Sequence, residues 1–273
     1  TGSKKAKFYA MIRDYCKIYN QIYQAECEVV STAGSNYNLK KLISGEIDFA
    51  VSQAHLQKKI FEDFNDIRTV IPLHDEYYTI VTRKDLKIRR FKDLLGKKIN
   101  IGGKLSGSEI FTRKIISGFG WSLDDFSAIT QYSAKNLSHY ICSGEIDAAL
   151  YFVGHPNQSF QEISDCGANF VSLNWFDRRK IKKIIPQLVS AKLPKKHYNH
   201  DSDIQTLSLP VVVSVRNNIS EDKILNFFKI MQEHHGKLVT LNPSYKLVTT
   251  SKLQDDFGKA PLHSVISRTY EDF

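Results

Sequence analysis

The sequence predicts an α/β protein built from two similar halves with parallel sheets and helices on both sheet faces. Three observations carry that prediction. Ser44-Gly45-Glu46-Ile47-Asp48 recurs as Ser143-Gly144-Glu145-Ile146-Asp147. Each copy follows a helical stripe and precedes an apolar run, Phe49-Ala50-Val51 in one case and residues 148–153 in the other. A strand, polar loop, helix order also appears once in each half, and alternating strands and helices build parallel sheets.

The elements follow from local pattern. Phe8, Met11, Ile12, Tyr15, Tyr19 and Ile22 recur at intervals of three and four, which places them on one face of a first helix. The β-branched run at 27–31 reads as a strand, 32–38 as a small polar loop, and Leu39, Leu42 and Ile43 as the start of a second helix. The glycine of each repeat suits a helix C-terminal cap, because it takes positive φ cheaply, and the apolar run after it suits a buried parallel strand. The repeated acids are therefore turn and capping residues and not a catalytic pair. In the second half, 98–101 reads as a strand, 102–108 as a glycine- and serine-rich loop, and Ile110, Ile115, Ile116 and Phe119 as a helix face. Near the end, 209–215 is a strand, and Ile224, Phe227, Phe228 and Met231 mark an amphipathic helix. No Gly/Pro/Ser-rich linker separates the halves, so short crossing strands should join them.

Composition removes several function classes. A chain of 273 residues with 42% hydrophobic content can fill one large core or two of ordinary size. No apolar run approaches the ~20 residues of a membrane-spanning helix, and Thr1-Gly2-Ser3-Lys4-Lys5 is not an export signal. A cytosolic chain and an exported chain that has lost its signal look alike at this level. The formal charge of +9 raises the question of nucleic acid, but Lys and Arg are scattered. The two densest basic runs, 83–90 and 178–183, carry no recognition motif and read as solvated faces, the alternative being a field that helps draw anionic solutes. Cys16, Cys27, Cys142 and Cys166 lack the paired spacing of a zinc or dithiol site. Their even count permits disulfides in an oxidising compartment, while Cys16 and Cys142, on helices, also suit buried thiols. No metal or cofactor is expected.

Two loops can carry chemistry. Residues 102–109, Gly-Gly-Lys-Leu-Ser-Gly-Ser-Glu, match no nucleotide-binding pattern. A glycine-rich turn that enters a helix nevertheless exposes unpaired N–H groups at the positive end of the helix dipole, which suits a small anion such as a carboxylate. Ser106 and Ser108 add hydroxyls, either as ligand donors or as a plain N-cap. The 32–38 loop is similar, with Ser35 and Asn38 in the same two alternatives. Ligands of open parallel sheets sit at the carboxyl ends of strands, so one such loop per half is better evidence than either alone. None of the nine histidines has a zinc-protease spacing or stands beside a nucleophile elbow, and no local signature makes Cys142 a nucleophile.

At these residues the chain resembles the TAXI-family solute receptors of tripartite ATP-independent periplasmic (TRAP) transporters. Thr1-Gly2-Ser3 with Phe8-Tyr9 is similar to the family's opening Thr-Gly-Ser and aromatic pair, with Ala6 where a glycine is usual. Ser31-Thr32-Ala33-Gly34-Ser35 with Asn38-Leu39 resembles its Thr-Gly-Gly-Ser and Asn-Leu signature, and Ser44-Gly45-Glu46-Ile47-Asp48 leading to Gln53 resembles its Ser-Gly-Glu-x-Asp and Gln element. Leu94-Leu95-Gly96-Lys97 with Ser106-Gly107-Ser108-Glu109 looks like its Leu-x-Gly-Lys and Gly-Ser-Gly-Thr-Glu segments, with Leu105 and Ser108 as departures. Pro194 with Tyr198, the strand at 210–215, and Pro261-Leu262-His263 extend the likeness over nearly the whole chain.

The resemblance implies an α/β, type II periplasmic-binding-protein-like fold, two lobes joined by crossing strands with the ligand cleft between them. Lobe 1 would comprise 1–80 and 209–273, and lobe 2 would comprise 81–208. The family's first strand would precede Thr1, and an export signal would have been removed. The implied function is a periplasmic, monomeric solute receptor, not an enzyme, that captures glutamate, glutamine or a related amino or dicarboxylic acid by lobe closure and delivers it to integral-membrane TRAP permease subunits. Ser35, Ser106, Gly107 and Ser108 would hold the carboxylate. Ser3, Tyr9, Thr32, Asn38, Gln53 and Phe152 would complete the ligand-binding set. No nucleic acid, metal or cofactor partner is implied. The alternatives are a ligand-sensing module for a membrane kinase and an enzyme on the same bilobal fold. Such an enzyme needs a cofactor-bearing cysteine loop or an acidic pyrophosphate loop, and neither pattern occurs in the sequence.

Overall fold

In the computed structural model of the chain, both copies of the repeat form the same turn. Gly45 and Gly144 stand at φ +81° and +78°, a region that residues with a Cβ enter only at a cost. Their amides donate to the Leu42 and Ile141 carbonyls, each at 3.2 Å. An arginine closes each turn: Arg216 Nη1 donates to the carbonyls of Leu42 and Ile47 at 2.5 and 3.2 Å, and Arg83 Nη1 lies 3.3 Å from Asp147. The acids serve the same turns, Asp48 with Lys223 at 2.7 Å and Asp147 as acceptor from the Lys98 amide at 2.8 Å.

The structure describes the chain apart from residues 3, 5, 6, 33, 105, 199, 249–252, 254–258, 272 and 273, and apart from the side chains of 135, 247, 270 and 271. The described chain divides into two units, Thr1–His74 with Pro210–Phe273, and Asp75–Leu209. The first part of unit 1 holds α1 (Lys7–Tyr23), α2 (Ser35–Ile43), β1 (Ala50–Gln53), α3 (Ala54–Phe64) and β2 (Ile67–Pro72). Unit 2 begins with β3 (Glu76–Thr82), β4 (Lys98–Asn100), α4 (Gly107–Gly118), β5 (Ala128–Thr130), α5 (Leu137–Cys142) and β6 (Ala148–Val153). It continues through α6 (Gln158–Asp165), β7 (Asn169–Phe170), α7 (Trp175–Ile184), β8 (Val189–Leu193) and β9 (Ile204–Leu209). The return to unit 1 adds β10 (Val211–Arg216), α8 (Glu221–Glu233), α9 (His235–Leu241) and α10 (Ser264–Glu271).

The division falls at 74/75 and 209/210, where the lobe limits implied above were 80/81 and 208/209. Pairing explains where it falls. β3 is laddered from Tyr77 to Thr82 with β6, and Glu76 and Tyr77 pair with β9, so the whole strand belongs to unit 2. Pro210 alone separates β9 from β10. It has no N–H to extend a ladder, and its carbonyl accepts from the Ala54 amide at 2.9 Å.

Parallel sheet appears in only part of the structure. In unit 2, β4 pairs with β5 and β6 in parallel, because α4 and α5 supply the crossovers that parallel neighbours need. β3, β8 and β9 join that sheet antiparallel, in the order β5-β4-β6-β3-β9-β8. The unit 1 sheet, β1-β10-β2, is wholly antiparallel, because the returning β10 enters between two strands that run the other way. Residues 27–31 form no strand. Asn20 takes the Cys27 amide at 2.7 Å and donates to its carbonyl at 3.3 Å, and a Cys16–Cys27 disulfide anchors the segment to α1.

Burial follows the period of each element. β6 is buried on both faces: Ala148, Leu150 and Phe152 pack with Phe111 and Ile115 of α4, while Ala149 and Tyr151 pack with Ile141 of α5 and Phe160 of α6. In unit 1, Met11, Tyr15, Cys16 and Ile18 of α1 meet Phe227, Phe228 and Met231 of α8, and the Tyr245 hydroxyl donates to the Met11 carbonyl at 2.6 Å. Two positions of the expected stripes point the other way: Ile22 is 38% exposed and Ile110 is 50% exposed, and Phe111 fills the core position beside Ile110. A second disulfide, Cys142–Cys166, ties the end of α5 to the end of α6, so the cysteines on helices are bonded and not free thiols.

Candidate functional site

In each unit a buried polar side chain fastens the start of a helix to the carboxyl end of a strand. In unit 1 the chain reaches α2 through Gly34 at φ +116°, a conformation suited to glycine, and no side chain caps this helix start. Asn38, 1% exposed, donates through Nδ2 to the Val51 carbonyl of β1 at 2.7 Å. Its Oδ1 is in hydrogen-bond contact with the Thr32 hydroxyl, which also accepts from the Gly34 amide at 3.2 Å. Ser35 Oγ accepts from the Gln53 amide at 3.2 Å. Thr32 with Asn38 and Ser35 with Gln53 thus form two bonded pairs where β1 ends and α2 begins. Tyr9 lies half-buried on α1, outside this set of bonds. Ser3 lies outside the described residues.

Unit 2 repeats the arrangement. Ser106 is the N-cap of α4, and its Oγ accepts from the Glu109 amide at 3.2 Å. This is the capping alternative read from the sequence, and it leaves the hydroxyl proton of Ser106 for another acceptor. The Ser108 hydroxyl accepts from the Phe152 amide of β6 at 3.0 Å. Gly107 opens the helix, where the first-turn N–H groups have no intrahelical acceptor. Phe152 contributes through its backbone, while its ring is a core group, 4.8 Å from the ring of Tyr78 and 5.2 Å from that of Phe111.

Glycine is required at 102, a residue that pattern alone does not single out from the loop. At φ +100°, a Cβ would stand 2.7 Å from Ser108 Cβ and 3.1 Å from the Glu109 amide nitrogen. The buried Glu109 carboxylate, placed in the first turn of α4, accepts from Arg113 Nε at 2.8 Å and from Gln131. Its charge is spent on those donors at the place where an anionic ligand would otherwise meet it.

A further polar group lies at the carboxyl ends of β4, β5 and β6. Asn100 donates to the Tyr151 hydroxyl at 2.9 Å and accepts from the Tyr132 amide at 2.8 Å. Burial pushes the Tyr151 phenol up to about 12. His155, fully buried, bonds through Nε2 to Thr79 at 2.7 Å and through Nδ1 to the Tyr198 hydroxyl at 2.5 Å. That hydroxyl also accepts from the Asn157 amide at 2.8 Å. In the sequence no spacing sets His155 apart from the other histidines. The one signal for its burial is its place directly after the apolar run of β6.

A cavity of about 330 Å³ lies elsewhere in unit 1, lined by Tyr15, Tyr19, Phe49, Val51 and Phe227. It includes neither Ser35 nor Asn38, and its wall also carries Glu26, Glu28, Glu46, Asp48 and Lys223. Among the described residues no group of histidines, cysteines and carboxylates is placed to hold a metal.

Two consequences are measurable. Gly102→Ala should lower unfolding stability by about 1–3 kcal/mol, the cost of forcing a residue with a Cβ into positive φ, and should reduce amide protection at the start of α4; unchanged protection would show that the turn is not strained. Lys7, in the first turn of α1, is held by burial at about 8, below the usual 10.5. Unfolding restores the higher value, so the unfolded chain binds more protons in that window, and stability rises with pH from about 8 to about 10.5. Denaturant unfolding of wild type and Lys7→Met across this range should show the rise only in the wild type.

The same fold occurs in solved proteins of low sequence identity. The chain is similar to the binding protein component of an ABC phosphonate transporter from Pseudomonas aeruginosa, at 10% identity over 91% of this chain and 80% of that one, with a TM-score of 0.56. It is similar to the effector binding domain of a BenM variant, at 13% identity over 90% and 94%, TM-score 0.53. It is also similar to an ancestral arginine-binding protein bound to arginine, at 16% identity over 86% and 87%, TM-score 0.51. The architecture is the mixed α/β fold of type II periplasmic binding proteins. The model of the NMT1-like family matches residues 1–272, and on that match the chain belongs to the NMT1-like family.

Proposed function

We propose that the protein is an extracytoplasmic solute receptor that captures a small carboxylate by closure of its lobes and hands it to a TRAP-type membrane permease. One observation carries the proposal. Each unit presents a helix start on a glycine- and serine-bearing turn at the carboxyl end of a strand, held rigidly by Asn38 in one unit and by Ser108 in the other. Such a start offers several N–H groups and the positive end of a helix dipole to one anion. Ser35, the Ser106 hydroxyl and the Gly107 amide are the donors assigned to the carboxylate. Tyr9, Thr32, Asn38 and Gln53 shape the remainder of the ligand.

The solute class draws support from the fold relatives, one bound to arginine and one a component of a phosphonate transporter. The TRAP partner and the TAXI placement rest on the order of the Thr-Ala-Gly-Ser, Ser-Gly-Glu-x-Asp and Ser-Gly-Ser-Glu motifs. Location outside the cytoplasm is supported by two disulfides, which persist in oxidising compartments. Binding rather than catalysis is supported by the chemistry of the loops, whose hydroxyls and amides hold an anion without a nucleophile and base in contact. A ligand shifts the open and closed forms only as far as it binds the closed form better.

Calorimetry on refolded, ligand-free protein with glutamate, glutamine, 2-oxoglutarate and short dicarboxylates tests this. Wild type should bind at least one of them, and Ser106→Ala/Ser108→Ala should bind it at least about tenfold more weakly, as expected for losing a hydrogen bond to a charged group. Binding by no carboxylate, or equal binding by the folded variant, would overturn the assignment.

A further inference from the structure

We infer that the outer face of α7, with the adjoining end of the 83–90 basic run, is a docking surface for an anionic lipid bilayer. Helix α7 reads Trp-Phe-Asp-Arg-Arg-Lys-Ile-Lys-Lys-Ile. Its inward side is accounted for: Ile181 is buried, and Ile184 packs where Gly118 leaves no room for a side chain. Asp177 accepts from the Phe91 amide at 2.8 Å and from Asn174 at 2.7 Å. Arg178 donates to Gln205 at 3.1 Å, and at 100° per residue the remaining side chains, Trp175, Phe176, Arg179, Lys180, Lys182 and Lys183, fall in one arc turned to solvent. Trp175 is 55% exposed and Phe176 is 77% exposed.

The bond from Phe91 to Asp177 has a second effect. It brings the end of the 83–90 run, where Arg89 and Arg90 are exposed, beside the first turn of α7. One of these arginines is paired: Arg90 Nε lies 4.0 Å from Asp93. Asp177 is engaged as described, and Asp93 accepts from the amides of Arg89 and Arg90 at 3.0 and 2.9 Å. Arg179 lies 5.0 Å from the Trp175 ring centroid and Lys180 lies 4.2 Å from that of Phe119, so these cations already lie along aromatic faces.

The combination selects the occupant. Two exposed aromatic rings at one end of a short helix, flanked by lysines on the same arc, match the headgroup level of a bilayer, where rings settle and long cationic side chains reach outward to phosphate. Tryptophan, phenylalanine and arginine also suit a protein interface, but lysine is depleted there, and lysines are three of the four cations on the arc. A nucleic acid would be gripped by cations without need of Phe176 standing free, and no base-reading motif accompanies the run. The inference rests on α7 and residues 89–91 alone and is independent of the solute assignment.

Sedimentation of the whole protein with vesicles of phosphatidylcholine alone, or with about one-third phosphatidylglycerol, tests it at low and high salt. Wild type should sediment with the phosphatidylglycerol vesicles at low salt and should be released at high salt, as screening requires. Trp175→Ser/Phe176→Ser and Arg179→Glu/Lys183→Glu should each reduce binding at least about tenfold, given that both apolar insertion and charge contribute. Lys59→Glu/Lys229→Glu changes the net charge equally at exposed positions of unit 1 and should leave binding nearly unchanged. Absence of vesicle binding, equal loss in that control, or α7-dependent binding to an oligonucleotide without vesicle binding would each overturn the inference.

Discussion

The structure depends on one recurring constraint, a buried polar side chain that locks the start of a helix to the end of the strand following the Ser-Gly-Glu-Ile-Asp turn. Asn38 does this for α2 and β1, and Ser108 does it for α4 and β6. Loss of either side chain would leave a backbone carbonyl or amide at a strand end without its partner, which costs more than the bond itself contributes. The turn glycines, the arginines that close those turns and the glycine at 102 all serve to bring helix and strand to the distance at which that bond forms. The same lock fixes the first-turn amides of each helix beside its strand.

Charge is arranged with the same economy. The one carboxylate in the first turn of α4, Glu109, is turned to Arg113 and Gln131, so the helix start keeps its positive character. The repeat acids are held by turn partners, Lys41 and Ser44 for Glu46 and Lys223 for Asp48. Arg179, Lys180, Lys182 and Lys183 of α7 are exposed, whereas Arg178 is partly buried and donates to Gln205 at 3.1 Å.

Much of this was legible in the sequence because it has a local signature. Gly45 and Gly144 announce positive φ within a repeated pentapeptide, and α1 and α8 show their faces through period alone. What was not legible depends on partners remote in sequence. Residues 27–31 have strand composition, but Asn20 takes the backbone bonds of Cys27 and Thr1 donates to the Val30 carbonyl. The disulfide partners stand 11 and 24 residues apart, spacings with no motif. Ile110 and Phe111 are equally apolar, and only the position of β6 decides which is buried. At the candidate site, the polar loops were found by their glycines and serines, whereas His155 and Tyr198 meet across 43 residues and Asn100 reaches Tyr151 across 51. Parallel sheet was overextended to unit 1 because the sequence order of strands does not reveal that β10 returns between β1 and β2.

The proposed receptor role requires that the helix starts at Ser35 and Ser106 bind a small carboxylate. Native mass spectrometry of the protein purified without denaturation, followed by identification of any released small molecule, tests it most directly. The account predicts a bound species carrying a carboxylate in the wild type and its loss in the Ser106→Ala/Ser108→Ala variant. A bound species with no carboxylate, or a carboxylate retained equally by that variant, would contradict it.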